Sequence, residues 1–423
     1  MGELLATFRN RDFALLWSGG LISMTGDWML LVALPIYVYR ATGSALATGA
    51  MFAAGLLPNV LLGSVAGVFV DRWDRKKTMV AANALMALSI LPLLLVPSTG
   101  WLWLVYAVAF AQSCFGAFNE PAENSLLPLL VEEGRLVTAN SLNVTNNNLA
   151  RLVGPALAGL VVGRFGLAGV VVADVASYLA AAALVSLISA PASPDRVGEA
   201  TPPKPSGGVA APFLAVWREW AEGLRLMATG RVVLTVLLVG AVTGLGEGVF
   251  AALFPPFVGV ALGGGALELG WLMSAQAVGG LLGGVAVGSL AGRLPPRLLL
   301  GLGALLLGLG DLAIFLYPSF VGGIAPGLAL FVLVGVPATA AFAGLQTLLQ
   351  TSTEDRYRGR AFGALATTQA LLMLAGTLLG GALGDAVGIV PVLVVQGVAY
   401  VATGTLVLVL LPRDGKRPAR GGV

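Results

Sequence analysis

The stretch LISMTGDWMLLVALP, residues 21–35, places one carboxylate, Asp27, in the middle of a long apolar run. An aspartate at the centre of a membrane helix costs about 2.5–3.5 kcal/mol on insertion scales. A second stretch, AVTGLGEGVFAALFP (241–255), aligns with the first after a shift that pairs Asp27 with Glu247. The chain therefore repeats itself, and each half carries one acidic residue at the same place in an apolar segment.

The composition is that of a membrane protein. Of 423 residues, 57% are hydrophobic and 11% are charged, whereas soluble domains carry about 25% charged residues. The chain has one cysteine and no histidine. An intrachain disulfide is therefore impossible, no metal site is expected, and any proton handling falls to Asp and Glu.

The apolar segments predict an all-α membrane protein with twelve transmembrane helices in two pseudo-symmetric six-helix bundles. A span needs about 20 apolar residues, and we expect the first one to be an uncleaved span. A second pair of aligned segments supports the division of the chain into two similar halves, since Gly154, Gly159 and Gly166 align with Gly376, Gly381 and Gly388. The predicted spans are 13–39, 45–70, 77–96, 101–128, 137–163, 168–190, 232–259, 267–291, 297–317, 321–350, 360–384 and 388–411.

The basic residues predict the orientation. Of the 24 Lys and Arg residues, all except Arg40, Arg151 and Arg164 fall on one side when both termini are placed in the cytoplasm. Cytoplasmic loops carry the excess of positive charge. We therefore expect a multi-pass protein with both termini cytoplasmic.

The chain divides at a Pro/Gly-rich linker. Residues 1–190 are predicted to form the N-terminal bundle, 231–412 the C-terminal bundle and 413–423 a cytoplasmic tail. The connection 191–230 is predicted to be a cytoplasmic linker that ends in an amphipathic helix (213–230) lying on the membrane interface.

The loop GVFVDRWDRKK (67–77) resembles the loop signature of the major facilitator superfamily. Further stretches, among them FRNRDFALLWSGGLISMTGDW and DRYRGRAFG, are similar to a bacterial group of macrolide efflux proteins and the enterobactin exporter. GPALAG (154–159) is similar to the fifth-helix Gly-Pro signature of antiporters, carried here by Gly154, Pro155 and Gly159. The resemblance implies a transporter of the bacterial inner membrane, without a cofactor and driven by the proton gradient.

The resemblance also implies that Asp27 and Glu247 face a central cavity, where they bind protons or a cationic substrate. Arg151, near the middle of the fifth span, is predicted to tune them; the alternative is a buried structural ion pair between Arg151 and Asp27. Glu120 is a candidate second proton site. We expect Asp174 and Asp311 to face water in the outer parts of their spans.

Polar residues on the other spans are candidates for lining the cavity, although each could instead bond only to neighbouring helices. The candidates are Trp28, Gln112, Asn119, Asn143, Asn147, Gln276, Gln346 and Gln369.

The signature loop is a candidate conformational latch. The resemblance implies that Asp71 meets the start of the eleventh span near Gly359, where a helix N-terminus favours a carboxylate; the alternative is a loop that only anchors the orientation. The latch residues are Gly67, Asp71, Arg72, Arg75 and Lys76.

The leading function is proton-coupled efflux of amphipathic small molecules, drug-like, macrolide-like or siderophore, by alternating access. The alternative is a lipid or lysophospholipid mover, and a remote one is a non-transporting sensor or scaffold. An enzyme is disfavoured because no nucleophile–base arrangement is present. The expected partners are a small-molecule substrate and the lipid bilayer, with no nucleic acid, and the protein is expected to be a monomer.

Overall fold

The computed structural model describes residues 7–70, 72–95, 101–189, 218, 220–225, 227, 230–290 and 294–411. Eleven described helices are long and apolar enough to cross a membrane. They are α1 (Arg11–Thr42), α2 (Ala45–Val70), α3 (Arg75–Ile90, continued by a 3₁₀ turn, Leu91–Leu95), α4 (Leu102–Leu130), α5 (Leu136–Ser186), α6 (Arg231–Val260), α7 (Ala266–Leu290), α8 (Pro296–Leu316), α9 (Ala325–Ser352), α10 (Asp355–Val387) and α11 (Ile389–Leu410).

Helix α5 contains the predicted fifth and sixth spans. Its 51 residues are interrupted at Gly166, where φ is 67° and ψ is −164°. A continuous helix of that length would measure about 75 Å, more than twice the roughly 30 Å of a bilayer core. A residue without Cβ adopts positive φ without strain, so the chain turns back at Gly166. The predicted all-α fold with twelve spans is confirmed.

Each helix pairing in one half has a counterpart in the other. In the first half α1 packs on α5, α2 on α4, and α3 on both α4 and α5. In the second half α6 packs on α10 and α11, α7 on α9, and α8 on α9 and α11. The halves meet where α5 packs on α7 and α2 packs on α10. The α5–α7 and α2–α10 contacts are equivalent under the internal repeat, as expected for two related bundles.

Among the described residues, the buried apolar core joins the two bundles at one end and is divided between them at the other. One cluster combines residues of both halves, including Leu34, Val38, Phe257 and Phe331. It lies at the end that carries the connections around residues 43, 263 and 388, which we call the closed end. The two other clusters each lie within one bundle, around Phe13 and around Val236. They occupy the opposite end, which we call the open end.

Glycines allow the helices to touch backbone to backbone at the closed end. A Cβ added to Gly159 would lie 2.6 Å from Leu267 Cα, and one added to Gly381 would lie 2.7 Å from Leu46 Cα. Small residues at helix interfaces permit such close approach. Gly159 and Gly381 are the aligned residues of the sequence repeat, so the repeat encodes the two inter-bundle contacts.

The described part of the predicted interfacial helix packs against the C-terminal bundle. Residues 218, 220–225 and 227 are helical. Met227 is fully buried in the cluster with Val236, and the Trp220 indole donates a hydrogen bond to Thr368 Oγ1 at 3.1 Å. Phe213 and Trp217, two apolar residues of the predicted amphipathic helix 213–230, lie outside the described residues.

Candidate functional site

A cavity with both polar and apolar walls lies within the N-terminal bundle and is lined by residues of α1 to α5. Its volume is about 660 Å³, which is within the usual range of small-molecule sites. Its polar lining includes Asp27, Asn59, Asn83, Gln112, Asn119, Glu120, Glu123, Asn124, Asn143, Asn147 and Tyr178. Its apolar lining includes Met24, Leu31, Leu34, Met51, Phe52 and Met86.

Helix α1 turns Asp27 towards this cavity. A Cβ added to the preceding residue, Gly26, would overlap Asp174 Oδ1 and Ser177 Oγ of α5, so Gly26 faces the neighbouring helix. Successive side chains of an α-helix are rotated by about 100°, and Asp27 therefore points away from that contact. Asp27 is solvent-accessible and lines the cavity.

Tyr178 on α5 holds the Asp27 carboxylate. The Tyr178 hydroxyl donates a hydrogen bond to Asp27 Oδ1, and the same hydroxyl lies 3.3 Å from Gln112 Oε1. Gln112 in turn donates to Met86 O at 3.1 Å. Because a tyrosine has one hydroxyl hydrogen, Tyr178 serves Asp27 or Gln112 as donor, but not both at once.

A second carboxyl, Asp174, lies behind Asp27. Asp174 is 0% exposed, and the Ser177 hydroxyl donates to its Oδ1 at 3.1 Å. Asp174 Oδ2 is buried and has no hydrogen-bond partner among the described residues. The expectation that Asp174 faces water is wrong, because the close approach of α5 to Gly26 encloses it.

The C-terminal bundle repeats this arrangement. Glu247 on α6 is solvent-accessible, and a Cβ on the adjacent Gly246 would overlap the Tyr400 ring of α11. Tyr400 stands at the position of Tyr178 in the repeat and donates to Thr243 O at 3.3 Å. Asp311 on α8 is the second carboxyl, 6% exposed. The expectation that Asp311 faces water is also wrong.

Arg151 does not form an ion pair with Asp27. Its Nη2 donates to Gln276 Oε1 on α7 at 3.3 Å, and its Cζ lies 5.8 Å from the centroid of the Trp28 ring, within cation–π range. It is also near enough to Glu247 for an electrostatic interaction. The structural ion pair considered from the sequence is absent here, and Arg151 instead bridges the two bundles.

The remaining polar candidates divide into two groups. Asn119 accepts a hydrogen bond from Asn83 at 3.1 Å, and Asn143 donates to Glu123 Oε1 at 3.1 Å. Gln112, Asn119, Glu120, Asn143 and Asn147 line the cavity, whereas its lining does not include Trp28, Gln276, Gln346 or Gln369.

The GPALAG stretch packs three helices together. A Cβ on Gly154 would lie 2.9 Å from Thr25 O on α1, and a Cβ on Gly270 of α7 would overlap Pro155 O. With Gly159 against Leu267, the stretch joins α5 to both α1 and α7 beside the candidate site.

The signature loop contacts its own bundle in this conformation. Asp71 lies outside the described residues, Arg72 is exposed, Arg75 is half-buried, and Gly67 has open space where a Cβ would be. Asp74 caps α3 by accepting from Lys77 N at 2.9 Å. Lys76 Nζ donates to Ile188 O at 2.6 Å, and Arg297 makes the equivalent bond to Leu408 O in the other half.

Sequence reasoning missed Asp385. This residue of α10 accepts hydrogen bonds from Ala45 N at 2.6 Å, Leu46 N at 3.1 Å and Ser44 Oγ at 2.6 Å. It therefore caps α2 of the opposite bundle at the closed end. The signal available in the sequence was one carboxylate at the end of an apolar span, four residues after Gly381.

The sequence profile of the transmembrane secretion effector family matches residues 3–417. The chain belongs to this family of major facilitator transporters. Macrolide efflux protein A of Streptococcus pyogenes is 28% identical to it over 385 residues, which cover 89% of this chain and 90% of that protein. The multidrug efflux pump Tap of Mycobacterium tuberculosis is 29% identical over 410 residues, 93% of this chain and 91% of that protein.

The fold of this chain also matches solved transporters. A bacterial homologue of the iron transporter ferroportin, in an inward-facing state, superposes with a TM-score of 0.68 at 16% identity and covers 93% of this chain and 99% of that one. The protein is therefore a multi-pass membrane transporter related to efflux proteins, and it does not belong to an enzyme family.

Proposed function

We propose that this transporter exports amphipathic cations in exchange for protons, and that macrolide-like amines are a substrate class. The observation that carries the proposal is Asp27, an accessible carboxylate halfway along a membrane helix, in a cavity that is otherwise lined by amides, apolar side chains, Tyr178 and the carboxylates Glu120 and Glu123. An intramembrane carboxylate is costly when unpaired. A proton or a bound cation removes this cost, and the two compete for the same charge.

The cavity suits a molecule with an amine and a large apolar body. Asp27 and Glu120 supply negative charge, and Met24, Leu31 and Phe52 supply apolar contact. The names of the related macrolide and multidrug efflux proteins agree with this class. We infer that Glu247 binds protons or substrate charge in the other bundle, with Arg151 adjusting it, and that Glu120 is a further proton site.

We propose that transport proceeds by rocking of the two bundles against each other, which exposes the cavity to one side of the membrane at a time. The symmetric glycine contacts hold the closed end together, and the cores are separate at the open end. The basic loops favour a cytoplasmic open end in the bacterial inner membrane, so the conformation described is inward-facing. When that end closes, the 67–77 loop with Asp71 meets the start of α10. One chain holds both halves, and we propose that it works as a monomer.

Reconstitution into proteoliposomes with an imposed pH gradient tests this function. The probes are erythromycin, ethidium and lysophosphatidylcholine, with a pH-sensitive dye in the lumen. We expect erythromycin or ethidium to be moved against its gradient while protons move in the opposite direction. Movement of the lipid alone, or of any probe without proton flux, would contradict the proposal.

A further inference from the structure

Each bundle contains a pair of carboxyls of which one is accessible and the other is buried. The pairs are Asp27 with Asp174, and Glu247 with Asp311. The accessible members occupy aligned positions of the repeat, and so do the tyrosines beside them, Tyr178 and Tyr400. The buried members lie on helices that are not equivalent in the repeat, α5 for Asp174 and α8 for Asp311. The two bundles therefore place a buried carboxyl near the accessible one from different positions in the sequence.

Neither buried carboxyl, Asp174 or Asp311, forms an ion pair with a Lys or Arg among the described residues. The ionisable groups that interact with Asp174 are Asp27 and Tyr178, which carry negative or no charge. Those that interact with Asp311 are Glu247 and Tyr400. Arg151 acts on Glu247 and contacts Gln276.

The Asp174 carboxyl is poorly solvated as well as enclosed. One oxygen accepts from Ser177, and the other has no partner among the described residues. Burying an ionised carboxylate without a partner costs several kcal/mol or more, and a second negative charge nearby adds to that cost. Asp27, in contrast, reaches cavity water and accepts a hydrogen bond from Tyr178.

We propose that each bundle holds one proton on its carboxyl pair, carried by the buried member, Asp174 or Asp311, while the cavity-facing member is charged. Proton transfer from the Asp174 carboxyl to the Asp27 carboxylate leaves Asp174 ionised and the total charge of the pair unchanged. The buried acids are thus two further proton-binding residues of the transporter. This inference rests on the proposed proton coupling for its use in transport, but not for its test.

Infrared spectroscopy of the purified full-length protein in lipid bilayers tests the proposal without any substrate. Protonated carboxyls give a carbonyl band, and labelling with [4-¹³C]aspartate shifts the bands of aspartic acid only. At neutral pH we expect two such bands, one lost in Asp174→Asn and the other in Asp311→Asn. Glu132→Gln, whose side chain is 80% exposed, serves as control and should keep both.

The outcomes separate the two bundles and separate this inference from transport. Labelled wild-type protein without a protonated aspartic acid band at neutral pH would overturn the proposal, even if neither variant folds. If Asp174→Asn or Asp311→Asn retains both bands, the proposal is overturned for the bundle that contains the substitution. Bands that behave as expected in a protein that moves no probe would leave the inference standing and contradict the proposed function.

Discussion

Asp385 Oδ1 accepts a hydrogen bond from Ala45 N at 2.6 Å, across the boundary between the two bundles. With the bonds from Leu46 N and Ser44 Oγ, one carboxylate of α10 satisfies the first turn of α2. A negative charge at a helix N-terminus is stabilising. The closed end is therefore held by a polar contact as well as by the glycine contacts, and this contact must break whenever that end opens.

Substitution of Asp385 should shift the protein towards the state in which the closed end is open. A hydrogen bond to a charged group contributes about 1.5–3 kcal/mol, so we expect Asp385→Asn to change the ratio of the two states about tenfold or more. Spin labels on cysteines at Arg164 and Val387, in a Cys114→Ala background, report the distance between the bundles at this end. Asp355→Asn, in the first turn of the same helix, is the control. An unchanged distance distribution in Asp385→Asn would show that the Asp385 cap does not hold the closed end together.

The two glycine contacts should respond alike to an added methyl group. Gly159→Ala and Gly381→Ala each place a Cβ within 2.7 Å of a backbone Cα in the opposite bundle. Overpacking of this kind costs about 1–3 kcal/mol. We therefore expect both variants to increase the population with a longer distance between the bundles at the closed end, in the same spin-label measurement. Gly163→Ala, where nothing lies within 4 Å of the added atom, should behave as wild type. A response of only one of the two variants would argue against equivalent contacts.

The basic residues at the open end should stabilise each bundle separately. Lys76 and Arg297 occupy equivalent positions, and each donates to a backbone carbonyl at or just beyond the C-terminal end of the neighbouring helix, where a cation is favourable. Lys76→Ala and Arg297→Ala should each lower the melting temperature by a few degrees, measured by tryptophan fluorescence in detergent. The neighbouring Lys77→Ala should not, because Lys77 is exposed. If all three variants have the same melting temperature as wild type, these hydrogen bonds make no measurable contribution to stability.

The fold was predictable because lipid leaves the backbone few choices. Apolar length predicted twelve spans, and two short repeats predicted the halves, since the aligned Gly159 and Gly381 make equivalent contacts. Asp27 and Glu247 were singled out as candidates because a charge in an apolar run is costly. The sequence did not predict that Asp174 and Asp311 are enclosed, because position along a span does not say which face packs against Gly26 or its counterpart.

Contacts between helices that are distant along the chain could not be predicted from the sequence either. The Asp385 cap joins residues 340 positions apart, and nothing local to either segment indicates its partner. Arg151 was predicted to lie near the middle of the fifth span, but the sequence did not indicate its partner, Gln276, on a helix of the other bundle. Such pairings follow from how the two bundles meet in three dimensions.

The most direct test of the central claim measures protons moved per molecule of probe in proteoliposomes, for wild type, Asp27→Asn and Glu247→Gln. Wild-type protein should show probe export coupled to proton uptake, and each substitution should reduce proton-driven accumulation about tenfold or more, with Glu132→Gln unchanged. Full proton-driven accumulation in both Asp27→Asn and Glu247→Gln would contradict the claim that these two carboxylates couple protons to export.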